Sequence, residues 1–113
     1  MLNGYITTKR LIESEEPFSA IFATSDLMAA GVYRALMEAG RRIPEDVSVL
    51  GFDGIELGDY LHPKLTTLAQ PVEQLALATF ELLKDLIDEQ CGNKNLIFEG
   101  KLVEKDSVKR IAK

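Results

Sequence analysis

The segment from Phe18 to Phe52 constrains the fold more than any other, because it reads strand, helix, strand with no room for a hairpin. Phe18 to Thr24 (FSAIFAT) is an almost continuous apolar run without a charge, the pattern of a central strand buried on both faces of a parallel sheet. Ser25 and Asp26 then offer a capping side chain and a first-turn negative charge. Leu27 to Ala39 continues with no breaker except Gly31, and Gly40 supplies a left-handed stop. After the basic, proline-containing turn RRIPED, Val47 to Phe52 is a second apolar, β-branched run. Two strands joined through a helix form a right-handed βαβ crossover and hence a parallel sheet. Ligands of such sheets sit beyond the carboxyl ends of the strands. Here those ends deliver Thr24, Ser25, Asp26 and Asp53 to one rim, so a binding cleft is expected there.

The flanking segments complete an α/β chain. Tyr5 to Ser14 carries Ile6, Leu11 and Ile12 among polar residues, a helical spacing that stops before Pro17. Gly58 to Pro63 reads as irregular and Leu65 to Ala69 as a short strand. Pro71 opens a strongly amphipathic helix, in which Val72, Leu75, Ala76, Thr79, Leu82, Leu83, Leu86 and Ile87 recur at three and four residues and predict one packed face. Two short strands, Leu96 to Phe98 and Leu102 to Val103, follow around Gly100.

The helix after Asp26 is apolar on two sides. Val32, Ala35, Leu36 and Ala39 suit the sheet, whereas Leu27, Ala30, Tyr33 and Met37 form a second stripe. That stripe meets another polypeptide or consists of scattered surface hydrophobes; the spacing allows both.

Composition narrows the function. At 113 residues the chain has room for one domain, and 13 Lys+Arg against 18 Asp+Glu leave a net charge of -5, with no whole-chain positive field to hold DNA. No apolar run approaches the roughly 20 residues that span a bilayer, and MLNGYITTKR lacks the layout of a secretory signal. The expectation is a cytoplasmic chain or one cut from something longer. Cys91 is alone, so it makes no internal disulfide or metal site and reads as a bystander. His62 is the single histidine and has no Ser, Cys or carboxylate motif to work with. No nucleophile elbow, phosphate loop or metal spacing occurs, so neither an enzyme nor a cofactor is expected.

Several linked motifs carry a resemblance over nearly the whole chain. They are the strand-end SD before an alanine-rich helix, a basic P-E-D turn before VSVLGFD, a loop ending in P-x-LTT, and a Q-P that starts the next helix. Together they are similar to the carboxyl-terminal part of the effector-binding core of the LacI/GalR family of bacterial transcription regulators. The chain departs from that pattern at Gly54, where a second acidic residue is usual, and in KDS-V near the end, where R-E-S-T is common.

The resemblance implies Rossmann-like parallel-sheet layers of a type I periplasmic-binding-protein-like domain, with two α/β subdomains around a cleft for a sugar, nucleobase or other small effector. Residues 1–113 would be a single, truncated domain of that core, without the amino-terminal helix-turn-helix through which the family reaches operator DNA. The Pro71 helix would belong to the layer of the other subdomain, leaving apolar surface exposed or paired with a second copy. Asp53 matches the family aspartate that accepts hydrogen bonds from effector hydroxyls or amines; a turn cap is the competing role. Ser25 matches an effector-facing position and is also a helix cap, while Asp26 reads as a partner of the helix dipole. Val72 aligns with an apolar effector contact, although core packing suits a valine on that stripe. Leu27, Ala30, Tyr33, Arg34, Met37, Tyr60 and Leu61 match the subunit interface, implying a homodimer. The function implied is sensing of a sugar-like effector and dimerisation within a regulator; the alternative is a piece of a periplasmic sugar-binding protein of a transport system.

Overall fold

The computed structural model describes residues 1–88 and 95–111. Its elements are α1 (Leu2–Glu13), β1 (Ala20–Phe22), α2 (Asp26–Glu38), β2 (Ser48–Asp53), α3 (Leu57–Tyr60), β3 (Thr66–Ala69), α4 (Val72–Ile87) and β4 (Lys101–Val103). The sheet has the order β1-β2-β3-β4, with β1, β2 and β3 parallel and β4 antiparallel to β3. The α/β reading and the parallel crossover from β1 through α2 to β2 are both observed. Cys91 lies outside the described residues.

Four details differ from the pattern in the sequence. The run around β1 forms an edge strand and not a central one, pairing only with β2, and Phe22 is 58% exposed. Apolar content reports burial only when a neighbour exists to bury it, and none stands beside β1 among the described residues. The first helix starts at Leu2, ahead of Tyr5, because its opening turn rests on α2. The segment expected to be irregular includes the short helix α3, and Leu96 to Phe98 forms no strand, so β4 alone continues the sheet there.

The core forms where α2 lies on the sheet. Ala29, Val32, Tyr33 and Leu36 pack against Ala23, Val47, Val49 and Leu65, all buried. Tyr33 turns inward, and its hydroxyl donates to the Pro63 carbonyl at 2.9 Å, so it is not part of an outward-facing stripe. α1 from the same chain covers the side of α2 that carries Met28 and Gly31, while Leu27 and Met37 of the second stripe stay exposed. The two helices approach through glycines. A Cβ on Gly31 would lie 2.0 Å from the Met1 carbonyl oxygen, and one on Gly4 would lie 2.2 Å from the Met28 carbonyl oxygen. The tail is stitched to the sheet by Ser107, whose Oγ donates to the Val49 carbonyl at 2.6 Å and accepts from the Thr66 amide at 2.8 Å.

Helix α4 is different. It contains no buried residue, and Leu77, Phe80, Leu83, Leu86 and Ile87 are all more than half exposed. The expected packed face therefore has no counterpart here. Projection of α4 away from the sheet gives a radius of gyration of 18.0 Å, against about 13 Å for a compact domain of this length.

Two outcomes follow from this packing. Gly31→Ala forces α1 off α2, because the obstructing atoms are backbone; the expected cost is about 1–3 kcal/mol, measured by denaturant unfolding, together with loss of amide protection in residues 2–13. Burial pushes the Tyr33 phenol up to about 12. Its neutral form is favoured in the folded state, so this contribution is intact below pH 10 and declines as the pH rises toward 12, by about 2 kcal/mol. Tyr33→Phe is expected to be less stable than the parent by about 1 kcal/mol at pH 8 and to become the more stable of the two by pH 12; a gap independent of pH would contradict this assignment.

Candidate functional site

The carboxyl ends of β2 and β3 lie side by side, with Asp53 opposite Ala69. The chain leaves β3 through Gln70 and Pro71 straight into α4, so the β2 end and the start of α4 form two sides of one groove. The groove measures about 770 Å³ and is lined by Asp53, Gly54, Ile55, Glu56, Gln70, Val72, Leu75, Ala76 and Thr79, a size that suits a small ligand. Ile55, Val72, Leu75 and Ala76 give it an apolar wall. Asp53, Glu56 and Gln70 give it polar groups, and no Lys or Arg lines it. Such a lining favours a ligand that donates hydrogen bonds and shows an apolar face, such as a polyol or an amine, over an anion.

Asp53 is unusual in its backbone. Its φ of 121° lies in a region that side-chain-bearing residues rarely adopt, and Gly54 follows at 81°. Strain of this kind costs on the order of 1–3 kcal/mol and clusters at ligand sites. The carboxylate is also held, because Gln70 Nε2 donates to its Oδ1 at 2.6 Å while the Gln70 amide donates to the Asp53 carbonyl at 3.0 Å. Gly54 is required where the related pattern has an acidic residue, since a Cβ there would lie 2.6 Å from the Ala69 Cβ.

Behind the groove, Asp26 is fully buried and does more than complement the dipole of α2. Its Oδ2 accepts from the amides of Gly54 at 2.9 Å and Ile55 at 2.8 Å, and its Oδ1 accepts from Thr67 Oγ1 at 2.7 Å. Gly51 makes room for it, as a Cβ at that position would come within 2.4 Å of Asp26 Oδ1. Sequence reasoning missed this tie. The partners come from β3 and the loop between β2 and α3, and only the folded sheet assembles them.

Of the three residues expected at the effector, Asp53 and Val72 line the groove together, Val72 being 65% exposed and outside the core. Ser25 does not line it. Its Oγ accepts from the Met28 amide at 3.1 Å, the helix-capping geometry. Glu56 and Gln70 are groove residues that the sequence did not single out.

Of the residues expected at a subunit interface, Leu27, Arg34, Met37 and Tyr60 are exposed, Ala30 and Leu61 are half-buried, and Tyr33 is buried. Arg34 pairs with Glu38, whose carboxylate also accepts from the Tyr5 hydroxyl at 2.6 Å. These hydrogen bonds hold the Glu38 carboxyl below its ordinary range. His62 lies in a separate cavity with Arg41, Arg42 and Asp106. Among the described residues no group of three His, Cys, Asp or Glu is placed to hold a metal, and no helix is long and apolar enough to cross a membrane.

Residues 3–108 match the profile of the periplasmic binding protein-like domain. The chain is 39% identical over 104 residues to the HTH-type transcriptional regulator MalR of Clostridium butyricum, covering 92% of this chain and 31% of that protein. It is 41% identical over 108 residues to the HTH-type transcriptional repressor PurR of Vibrio atlanticus (strain LGP32), covering 94% of this chain and 32% of that protein. It thus spans about a third of the length of these relatives. Among solved structures it is similar to a LacI family transcriptional regulator from Enterococcus faecium with bound ribose, at a TM-score of 0.83 and 36% identity over 93% of this chain and 39% of that one. The lac repressor dimer bound to operator and an anti-inducer aligns at a TM-score of 0.87 and 28% identity, over 95% of this chain and 37% of that one. With the parallel sheet, the groove at its carboxyl edge and this likeness over nearly its whole length, the chain belongs to the periplasmic binding protein-like domain family, in the form that LacI-type transcription regulators carry.

Proposed function

We propose that residues 1–113 form the carboxyl-terminal part of the effector-sensing core of a LacI-type transcription regulator, contributing one wall of a pocket for a sugar-like molecule. The observation that carries this reading is Asp53, a carboxylate on strained backbone at a strand end, braced by Gln70 and facing an apolar wall that includes Val72. The acceptor bonds hydroxyl groups while the apolar wall covers the face of a sugar ring. Ser25 serves this reading as the cap of α2 behind the rim. The other wall, and a DNA-binding head, belong to parts of the regulator that this chain does not include. Effector binding then favours one closure of the cleft and shifts the spacing of the heads, a binding equilibrium with no chemical step. A transport receptor is the second reading, and the named relatives, both HTH-type regulators, favour the first. The protein works in the cytoplasm, where its operator is, and needs no cofactor.

In this reading the regulator is a homodimer, and the exposed Leu27, Arg34, Met37 and Tyr60, with Ala30 and Leu61 beside them, form the self-complementary surface. Tyr33 supports that surface from within. Leu27→Glu is expected to shift the intact protein toward monomer in light scattering without loss of helicity; an unchanged dimer would place the interface elsewhere.

The effector assignment is tested by Asp53→Gly in the intact protein. Glycine accepts the φ of 121° without strain while removing the carboxylate. Effector affinity is expected to fall about ten- to a hundredfold, the worth of a charge-assisted hydrogen bond of roughly 1.5–3 kcal/mol. Stability is expected to stay within about 1 kcal/mol, because relief of strain offsets the lost Gln70 bond. Calorimetry that finds unchanged affinity would leave Asp53 a turn residue only.

A further inference from the structure

We infer that Asp26, which does not line the effector groove, is its positioning residue: its buried carboxylate sets the backbone that presents Asp53. The inference rests on the reading of Asp53 as an effector contact.

Five observations support it. Asp26 Oδ2 accepts from Gly54 and Ile55, the two amides that immediately follow Asp53, at 2.9 and 2.8 Å. Those residues line the groove, whereas Asp26 does not. Asp53 and Gly54 hold positive φ values of 121° and 81°, a turn that needs an external hold where a side chain is present. The carboxylate itself cannot drift, because Thr67 Oγ1 fixes Oδ1 from β3 at 2.7 Å and Leu65 and Gly51 close the space around it. No Lys or Arg lies within ion-pair distance of Asp26 among the described residues, so these donors and the amino end of α2 alone satisfy its charge. Moving the loop would strip a buried charge of two donors, and that cost keeps Asp53 in its turned conformation before any effector arrives. Gln70 fixes the Asp53 side chain from the groove side, and Asp26 fixes its main chain from the core side.

A merely structural role would lower stability alone, whereas a positioning role acts on binding and acts through Asp53. The experiment is a double-mutant cycle of Asp26→Asn and Asp53→Gly in the intact protein. The probe is whichever sugar stabilises the parent most in a thermal-shift panel of pentoses, hexoses and disaccharides that includes ribose and lactose. Asparagine keeps an oxygen for the loop amides but gives up the charge, so variants are compared at a temperature where each is folded by circular dichroism. Asp26→Asn alone is expected to weaken binding about tenfold and to move the Gly54 and Ile55 amide resonances upfield. In the Asp53→Gly background it is expected to change affinity by less than twofold. An unchanged affinity for the folded Asp26→Asn protein, or losses that multiply in the double variant, would overturn the inference and leave Asp26 as a fold determinant. Should Asp53→Gly itself bind as tightly as the parent, or no sugar in the panel bind, the effector reading fails first and takes the inference with it. If Asp26→Asn does not fold, Thr67→Val replaces it in the cycle, with an expected loss of about threefold and the same two overturning outcomes.

Discussion

The interaction on which the rest of the molecule depends is the buried carboxylate of Asp26. A charge taken out of water is costly unless donors replace the solvent, and here the replacements come from two separate places, two loop amides after β2 and a threonine on β3, with the dipole at the start of α2 adding to them. One side chain therefore locks the helix, two strands and the rim to each other. The same contact explains Gly51, an otherwise puzzling break in the apolar β2 run, because any side chain there would enter the space of the carboxylate.

Away from that point the body is held by close backbone contact as much as by apolar burial. Gly4 and Gly31 bring α1 and α2 together until each meets main-chain carbonyls, which ties α1 to the sheet layer that α2 covers. Ser107 performs the corresponding task for the tail, closing hydrogen bonds to β2 and β3 from a segment with no secondary structure of its own. Helix α4 takes part in none of this. Its start is fixed by the β3 exit, where it borders the groove, and Leu77, Phe80, Leu83, Leu86 and Ile87 remain exposed along its length. Order in the molecule thus runs from a tied core around α2 to an unburied helix.

The candidate site was legible in the sequence to the extent that strand ends announce themselves. Asp53 is the first polar residue after an apolar β-branched run, and the parallel-sheet rule places such a residue on the ligand rim. Val72 came from the family resemblance alone, since its place on the apolar stripe of α4 pointed to core packing. Gln70 and Glu56 carried no such mark, since a glutamine before a proline and a glutamate in a loop are ordinary residues until the sheet register sets them beside Asp53. Ser25 was legible as a cap, and it is one. Tyr33 was misplaced because helical periodicity assigns a residue to a side of the helix but not to what that side meets. Pro63, whose carbonyl draws the Tyr33 hydroxyl inward, is 30 residues away in the chain.

By itself the sequence determined the order and kind of the main elements, the parallel crossover, the strand-end position of Asp53 and the link to a regulator family, because all of these rest on local periodicity, on turn chemistry or on motifs in series. Packing in three dimensions settled which strand lies at the edge, which side of α2 is covered by α1, that α4 goes unburied, and that Asp26 is an anchor and not just a helix-dipole partner. Burial and hydrogen bonding are properties of pairs. A sequence states one member of each pair, and the fold supplies the other.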